Sequence, residues 1–200
     1  QVLAQFSDGT PAVAVNELGK GKVLLLNWHA LRPMVPAVAE TWRRVLRRWN
    51  APAEQVFVMD TEANRKRYAD KGTNEAATVL ASLGHKTKIT PEGRLGQLPA
   101  GSLVVLSDVY EIPDEFARSL EQFVERGGLL AFIDGPVHAI HNASIRRLLG
   151  MSRTAKYINQ LDVVQPAKES DLVPSDGARL DLAAQRGKLD KWAEYRKAGV

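Results

Sequence analysis

The sequence predicts an α/β fold: a doubly wound, mainly parallel sheet, preceded by a β-meander plus a helix. From residue 55 onward, short apolar runs alternate with helical patterns, and such runs are typical of strands that are buried on both faces. Before residue 50, three short strands are separated by turn residues, which is the pattern of a meander. Because parallel neighbours need crossover connections, the alternation favours a parallel sheet with helices on both of its faces.

The first part of the chain, residues 1–50, is predicted to hold the meander and one helix. Strands are expected at residues 2–6, 11–16 and 22–27, with the turns SDGT and GKG between them. The helix opens near two prolines, and most of its four arginines lie opposite an apolar stripe of near-3.6 spacing. The stripe consists of Val35, Val38, Ala39, Trp42, Leu46 and Trp49. Asn50-Ala51-Pro52 ends the helix and indicates a domain boundary.

The second part, residues 51–168, carries the alternating elements of the predicted parallel sheet. Its strands are expected at residues 56–59, 85–89, 103–106, 129–133 and 161–164, and its helices at 74–83, 113–127 and 144–149. The third part, residues 169–200, reads as a polar linker followed by a helix over 180–197.

Composition excludes several classes of function. The chain has 200 residues, 44% hydrophobic and 25% charged, with a net charge of +4. The 27 basic and 23 acidic residues are spread along the sequence, so we expect no nucleic-acid partner. No apolar run reaches the length of a membrane span, and no signal peptide is visible, which leaves both a cytoplasmic and a secreted location open. The absence of cysteine excludes disulfides, thiolate metal sites and a cysteine nucleophile.

Three predicted strands end in an aspartate, at Asp60, Asp108 and Asp134. In a flavodoxin-like strand order these strands are adjacent, so the carboxylates would converge on the crevice where such sheets bind ligands. Clustered carboxylates can hold Mg²⁺ or raise one another's pKa, and His138 and His141 follow in the same loop as further metal ligands. The alternative is that each aspartate caps backbone N–H groups and the histidines are ordinary loop residues. Asp60, Asp108, Asp134 and His138 are therefore the candidate crevice residues.

Other motifs are absent or ambiguous. There is no G-x-S-x-G and no phosphate-binding glycine loop, and the segment TEANRKRYADKG after Asp60 can meet an anion or simply face water. Trp28, Trp42 and Trp49 can form a platform for stacking sugars, but the helical spacing of Trp42 and Trp49 favours packing. We take these two tryptophans as candidates for contact with a neighbouring domain.

Two stretches of the sequence resemble a known family. LVVLSDVYEIPDEFARSLEQFVERGGLLAFIDGPVHAIHNASIRRLLGM and VLAQFSDGTPAVAVNELGKGKVLLLNWH are similar to the class I glutamine-amidotransferase-like domain of glycoside hydrolases, the β-galactosidase trimerisation domain. The resemblance covers roughly residues 1–30 and 55–165, and it depends mostly on GKGKV, FVERGG and LLG. True amidotransferases carry a cysteine at the turn after the strand, where this chain has Asp134-Gly135-Pro136. Glutaminase chemistry is therefore excluded by residue type.

The resemblance implies a role in a larger bacterial carbohydrate-active protein, a glycoside hydrolase, whose catalytic barrel does not fit in this chain. The β-rich end normally follows the LLG region, so we expect residues 1–50 to be the tail of an upstream amidotransferase-like domain. The implied function is non-catalytic assembly with neighbouring domains or subunits, including homo-oligomers, without a cofactor, metal or membrane. The alternatives are a metal-dependent hydrolase that uses Asp60, Asp108 and Asp134, and a carbohydrate-binding module.

Overall fold

A single mixed sheet, with helices on both faces, organises the chain. The computed structural model describes residues 1–5, 11–27, 36–51, 55–68, 71–109, 111–133, 142–151 and 165–166. The strands are β1 (Val2–Gln5), β2 (Pro11–Leu18), β3 (Gly21–Leu26), β4 (Val56–Asp60), β5 (Thr87–Pro91), β6 (Leu103–Ser107), β7 (Leu129–Ile133) and β8 (Gln165–Pro166). The helices are α1 (Pro36–Arg48), α2 (Glu62–Tyr68), α3 (Lys71–Ser82), α4 (Asp114–Glu125) and α5 (Ala143–Leu149), with a 3₁₀ helix at Glu92–Gln97. The predicted α/β class is confirmed.

The strand order is β5-β4-β6-β7-β3-β2-β1-β8. The strands from β5 to β3 in this order are parallel to one another. From β3 onward, neighbouring strands pair antiparallel: β3 with β2, β2 with β1, and β1 with β8. A flavodoxin-like sheet has the order 2-1-3-4-5, so β5, β4, β6 and β7 fill its first four places. The fifth place is taken by β3, which comes from the amino-terminal side of the chain. The predicted meander thus continues the parallel sheet, while its origin as the tail of an upstream domain stays a prediction.

Two apolar cores lie on opposite faces of this sheet. One packs α1 and α3 against the sheet, and the other packs α4, α5 and the 3₁₀ helix. Every residue of β6 and β7 is buried, and along β6 the side chains alternate between the two cores. Strands covered on both faces need apolar residues at every position, which explains why these runs were recognisable in the sequence.

Several elements differ from the predicted ones. The polar segment after Asp60 forms α2, and α3 begins at Lys71 instead of residue 74. Strand β5 begins two residues later than predicted, since His85 is held by other contacts described below. The predicted strand 161–164 and helix 180–197 lie outside the described residues. None of the described helices combines the length and the apolar character that a membrane span requires.

Candidate functional site

The candidate crevice lies between the carboxyl ends of β4 and β6. From β4 the chain leads to β5 on one side and then returns to β6 on the other side of β4. The strand order therefore reverses between β4 and β6, which is where open α/β sheets bind ligands. Asp60 is the last residue of β4, and Asp108 follows the last residue of β6. The structure places these two predicted site residues at the ends of adjacent strands.

Asp60 is paired with a cation from its own side of the crevice. Its Oδ2 accepts a hydrogen bond from Nη1 of Arg65 on α2, at 2.5 Å. Its Oδ1 is buried and has no hydrogen-bond partner among the described residues. The guanidinium group is an opposite charge for the carboxylate and engages one of its two oxygens.

Asn64 fills the space between α2 and β6. Its backbone N–H donates to Oγ1 of Thr61, the residue before α2, at 3.2 Å. Its side-chain Nδ2 donates to the carbonyl oxygen of Ser107 at 3.3 Å, and the Asn64 side chain is almost fully buried. Threonine directly before a helix is a known N-cap, so Thr61 was a sequence signal for the start of α2, whereas the contact of the Asn64 side chain with β6 had no such signal.

Glu92 is a further acid near the crevice that sequence reasoning missed. It begins the 3₁₀ helix directly after β5 and is half-buried. Burial is the largest effect on Glu92 and raises its pKa, and the nearby carboxylates of Glu62 and Asp60 raise it further. A hydrogen bond with the Glu62 backbone and the positive charge of Arg65 act in the opposite direction and lower this pKa. The edge of the crevice therefore carries one carboxylate paired with an arginine and one carboxyl group whose pKa is raised.

Asp108 has a backbone conformation that few residue types adopt readily. Its φ is 51°, in the left-handed region, and its backbone N–H donates to the carbonyl oxygen of Ile133 at 2.9 Å. Aspartate tolerates this conformation better than most residues, so a structural role explains its presence. Asp134, His138 and His141 lie outside the described residues. Across the described ranges, no group of three or more acidic or histidine side chains is arranged to hold a metal ion, and the metal-dependent alternative stays a prediction.

Trp42 on α1 and Trp49 just after it both pack within the chain. Trp42 is fully buried in the core between α1 and the sheet, and its Nε1 donates to Nε2 of His85 at 3.0 Å. Trp49 is half-buried against the same core. Trp42 therefore has no exposed surface to offer a sugar or a separate subunit, and its polar contact is made with His85, while the predicted contact with a neighbouring domain stays a prediction. Trp28 lies outside the described residues.

A groove of about 440 Å³ separates α4 from α5. Glu121 of α4, a buried residue, is paired with Arg147 of α5 through two hydrogen bonds, of which the one from Nη2 to Oε2 is 2.8 Å long. Asn142 donates to Asp114 at 2.5 Å and caps α5 through Oδ1, which accepts from the backbone of Ser144 at 2.8 Å. These polar groups form hydrogen bonds with one another across the groove, and these bonds stabilise the contact between α4 and α5.

The residues that carry the family resemblance form a close junction at the amino ends of β3 and β7. A Cβ on Gly21 would lie far inside contact distance of the carbonyl oxygens of Val124 and Gly128, and one on Gly128 would overlap the ring of Phe123. Backbone hydrogen bonds run from Lys20 N–H to the Glu125 oxygen, at 3.1 Å, and from Lys22 N–H to the Gly128 oxygen, at 3.2 Å. GKGKV and FVERGG are thus two halves of one contact, which we call the glycine junction.

The LLG motif joins the same part of the molecule. Gly150 follows α5 with a φ of 67°, and the side chain of Asn16 on β2 donates to the carbonyl oxygens of Arg147 and Leu148, at 2.9 and 3.1 Å. Asn16 therefore caps the carboxyl end of α5, whose last carbonyl groups lack partners within the helix. The meander therefore contacts both helices. The main-chain N–H of Lys20 binds α4, and the side chain of Asn16 binds main-chain carbonyl groups of α5.

Comparisons of the chain with protein families, with curated proteins and with solved structures find no match.

Proposed function

We propose that this chain is a non-catalytic, amidotransferase-like assembly domain of a larger carbohydrate-active protein, in which it contacts neighbouring domains or subunits. The observation that carries the proposal is the glycine junction. The motifs on which the resemblance depends make close contacts between elements: Gly21 faces backbone oxygens of Val124 and Gly128, and Gly150 lies against the side chain of Asn16. Motifs with this role hold a sheet together and require no reacting side chain.

The crevice between β4 and β6 supports the same proposal. Asp60 is neutralised by Arg65, and Asn64 ties α2 to the end of β6, so the described side chains at this edge contact one another. Acyl-transfer chemistry needs a nucleophile paired with a general base, and glycosidic chemistry needs two carboxyl groups at a set separation, whereas the Asp60 carboxylate of this crevice is engaged by Arg65.

The test combines association with activity. We expect sedimentation equilibrium at micromolar to submillimolar concentrations to show self-association of the purified chain. We also expect no turnover of glutamine or of nitrophenyl glycosides, with or without Mg²⁺, Mn²⁺ or Zn²⁺. Turnover that Asp60→Asn abolishes, while the exposed-acid control Glu62→Gln retains it, would overturn the non-catalytic role. A chain that stays monomeric throughout would count against assembly with copies of itself.

A carbohydrate-binding role remains the second prediction, tested by a glycan array. Because Trp42 is buried, the informative variant is Trp28→Ala, and Trp49→Ala is its control.

A further inference from the structure

The contact between Trp42 and His85 joins α1 to the segment between α3 and β5. Beyond α3 the chain turns at Gly84, where φ is 93°, and the backbone N–H of His85 donates to the carbonyl oxygen of Leu80 at 3.2 Å. This turn places the imidazole edge-to-face against the indole, with ring centroids 6.1 Å apart and an interplanar angle of 82°. The indole Nε1 lies 3.0 Å from Nε2 of His85.

The hydrogen bond defines which form of His85 the fold contains. An indole N–H can only donate, so Nε2 must accept and carries no proton. The proton of the neutral ring is therefore on Nδ1. Nδ1 is buried and has no hydrogen-bond partner among the described residues, so no acceptor there favours a charged ring.

The surroundings of the ring oppose a positive charge. Burial lowers the pKa of His85, and the guanidinium of Arg43, the neighbour of Trp42 on α1, lowers it further. Arg43 is itself paired with Glu40 of α1, with 3.9 Å between Nη1 and Oε2, and the pKa of His85 is nevertheless lowered, first by burial and then by Arg43. A second proton would place two N–H donors against each other across the 3.0 Å contact and add a cation beside Arg43.

We propose that the Trp42–His85 contact is a proton-operated latch, which holds α1 on the sheet while His85 is neutral and releases α1 when His85 takes up a proton. Release breaks the hydrogen bond to the largest fully buried side chain of α1. The remaining apolar contacts of the sheet do not involve the ring, so the opening is local. The inference is independent of the proposed assembly function.

The test is an NMR titration of the full chain between pH 8 and pH 4.5. The imidazole nitrogens of His85 and the indole N–H of Trp42, assigned through His85→Gln and Trp42→Phe, are followed together. We expect Nε2 of His85 to be unprotonated at pH 7.5 and to take up its proton below the usual histidine value of about 6.5. The Trp42 indole signal should move with the same midpoint. Amide exchange in residues 36–51, corrected for intrinsic rates, should become at least about tenfold faster across that transition.

Three variants distinguish the latch from a merely structural contact. His85→Gln retains an acceptor for the indole but does not titrate, so its α1 exchange should not respond to pH. Arg43→Gln should shift the midpoint upward, because one of the two opposing effects is removed. His141→Gln, which changes a histidine elsewhere in the sequence, should titrate like the unaltered chain. An indole signal that ignores the His85 transition would overturn the latch, as would simultaneous loss of the whole sheet.

Discussion

Gly21 lies where no side chain fits, because its Cα faces the carbonyl oxygens of Val124 and Gly128. The constraint is steric and involves backbone atoms, which cannot rotate away as a side chain would. Glycine is required here for close approach, since its φ is not in the left-handed region. At neighbouring Gly19 both constraints coincide, because φ is 59° and a Cβ would lie 2.7 Å from the Glu125 oxygen.

Gly21→Ala should therefore destabilise the chain by about 3 kcal/mol or more, because β3 or α4 must move to accommodate the methyl group. The measurement is urea denaturation followed by circular dichroism. The matched control is Gly93→Ala, because a Cβ there meets no atom within 4 Å. The control should change stability by less than about 0.5 kcal/mol. Equal stability of the two variants would show that the glycine junction is not as close as described.

At the scale of elements, α5 is held at both ends by asparagines, one directly before the helix and one on β2. Asn142 caps its first turn, and Asn16, from β2, caps its last. The helix has seven residues, too few to be stable alone, so these caps and its buried apolar side chains hold it in place.

Asn16→Ala should cost about 1 kcal/mol, because the carbonyl groups of Arg147 and Leu148 lose their donors. Asn16→Asp should cost more, since it places a negative charge at the carboxyl end of a helix. Thermal unfolding of both variants measures the difference, and Glu17→Ala, at an exposed site of the same strand, is the control. An aspartate variant as stable as the original would contradict the cap.

The pair between Glu121 and Arg147 gives the α4–α5 contact a pH dependence. The hydrogen bonds from Arg147 lower the pKa of Glu121 from its usual value near 4.5, against the opposing effect of burial. The unfolded chain therefore binds this proton first on acidification. The stabilisation is complete above about pH 4.5 and is lost as pH falls through the lowered value.

Glu121→Gln should accordingly reduce stability by about 1 kcal/mol at pH 7, a modest value because Arg147 is 58% exposed. The difference should shrink toward pH 3, because the lowered pKa of Glu121 means that the folded glutamate takes up its proton only as the pH falls below the usual range. Urea denaturation at both pH values measures it, and Glu115→Gln, an exposed acid on the same helix, is the control. A difference that persists at pH 3 would mean that shape, and not charge, explains the effect.

At the scale of the whole molecule, the two predicted parts, residues 1–50 and 51–168, share one sheet and the apolar core on its α1 face. β3 pairs with β7 along five residues, and the core on the α1 face combines Leu24, Leu26 and Trp42 with Val58 and Val105. A division near residue 51 would expose one edge of β7 together with this core.

A chain that begins at residue 51 should therefore not fold, and its NMR spectrum should lack dispersion. A chain that ends at residue 168 retains every described contact and should keep the fold. If the shorter chain beginning at residue 51 folds by itself, the predicted boundary would mark an independent domain.

The strands β1, β2 and β3 could be predicted from the turn residues between them, and β6 and β7 from their continuous apolar runs. For β6 and β7 the local composition is sufficient, because burial on both faces excludes polar residues. α2 and the 3₁₀ helix were missed, since both are short and polar and lack an apolar periodicity. For the crevice, the strand-end positions of Asp60 and Asp108 were predictable, but the contributions of Arg65, Asn64 and Glu92 were not.

The sequence alone determined the fold class of this protein, because apolar runs that alternate with helical patterns favour a parallel sheet. It also excluded thiol chemistry, because the chain has no cysteine. The place of β3 beside β7, the burial of Trp42 against His85 and the meeting of GKGKV with FVERGG came from the three-dimensional arrangement. Each of these joins residues more than 40 positions apart in the chain. Local propensity cannot predict such pairs, because their interaction contributes free energy only after folding has brought the two partners together.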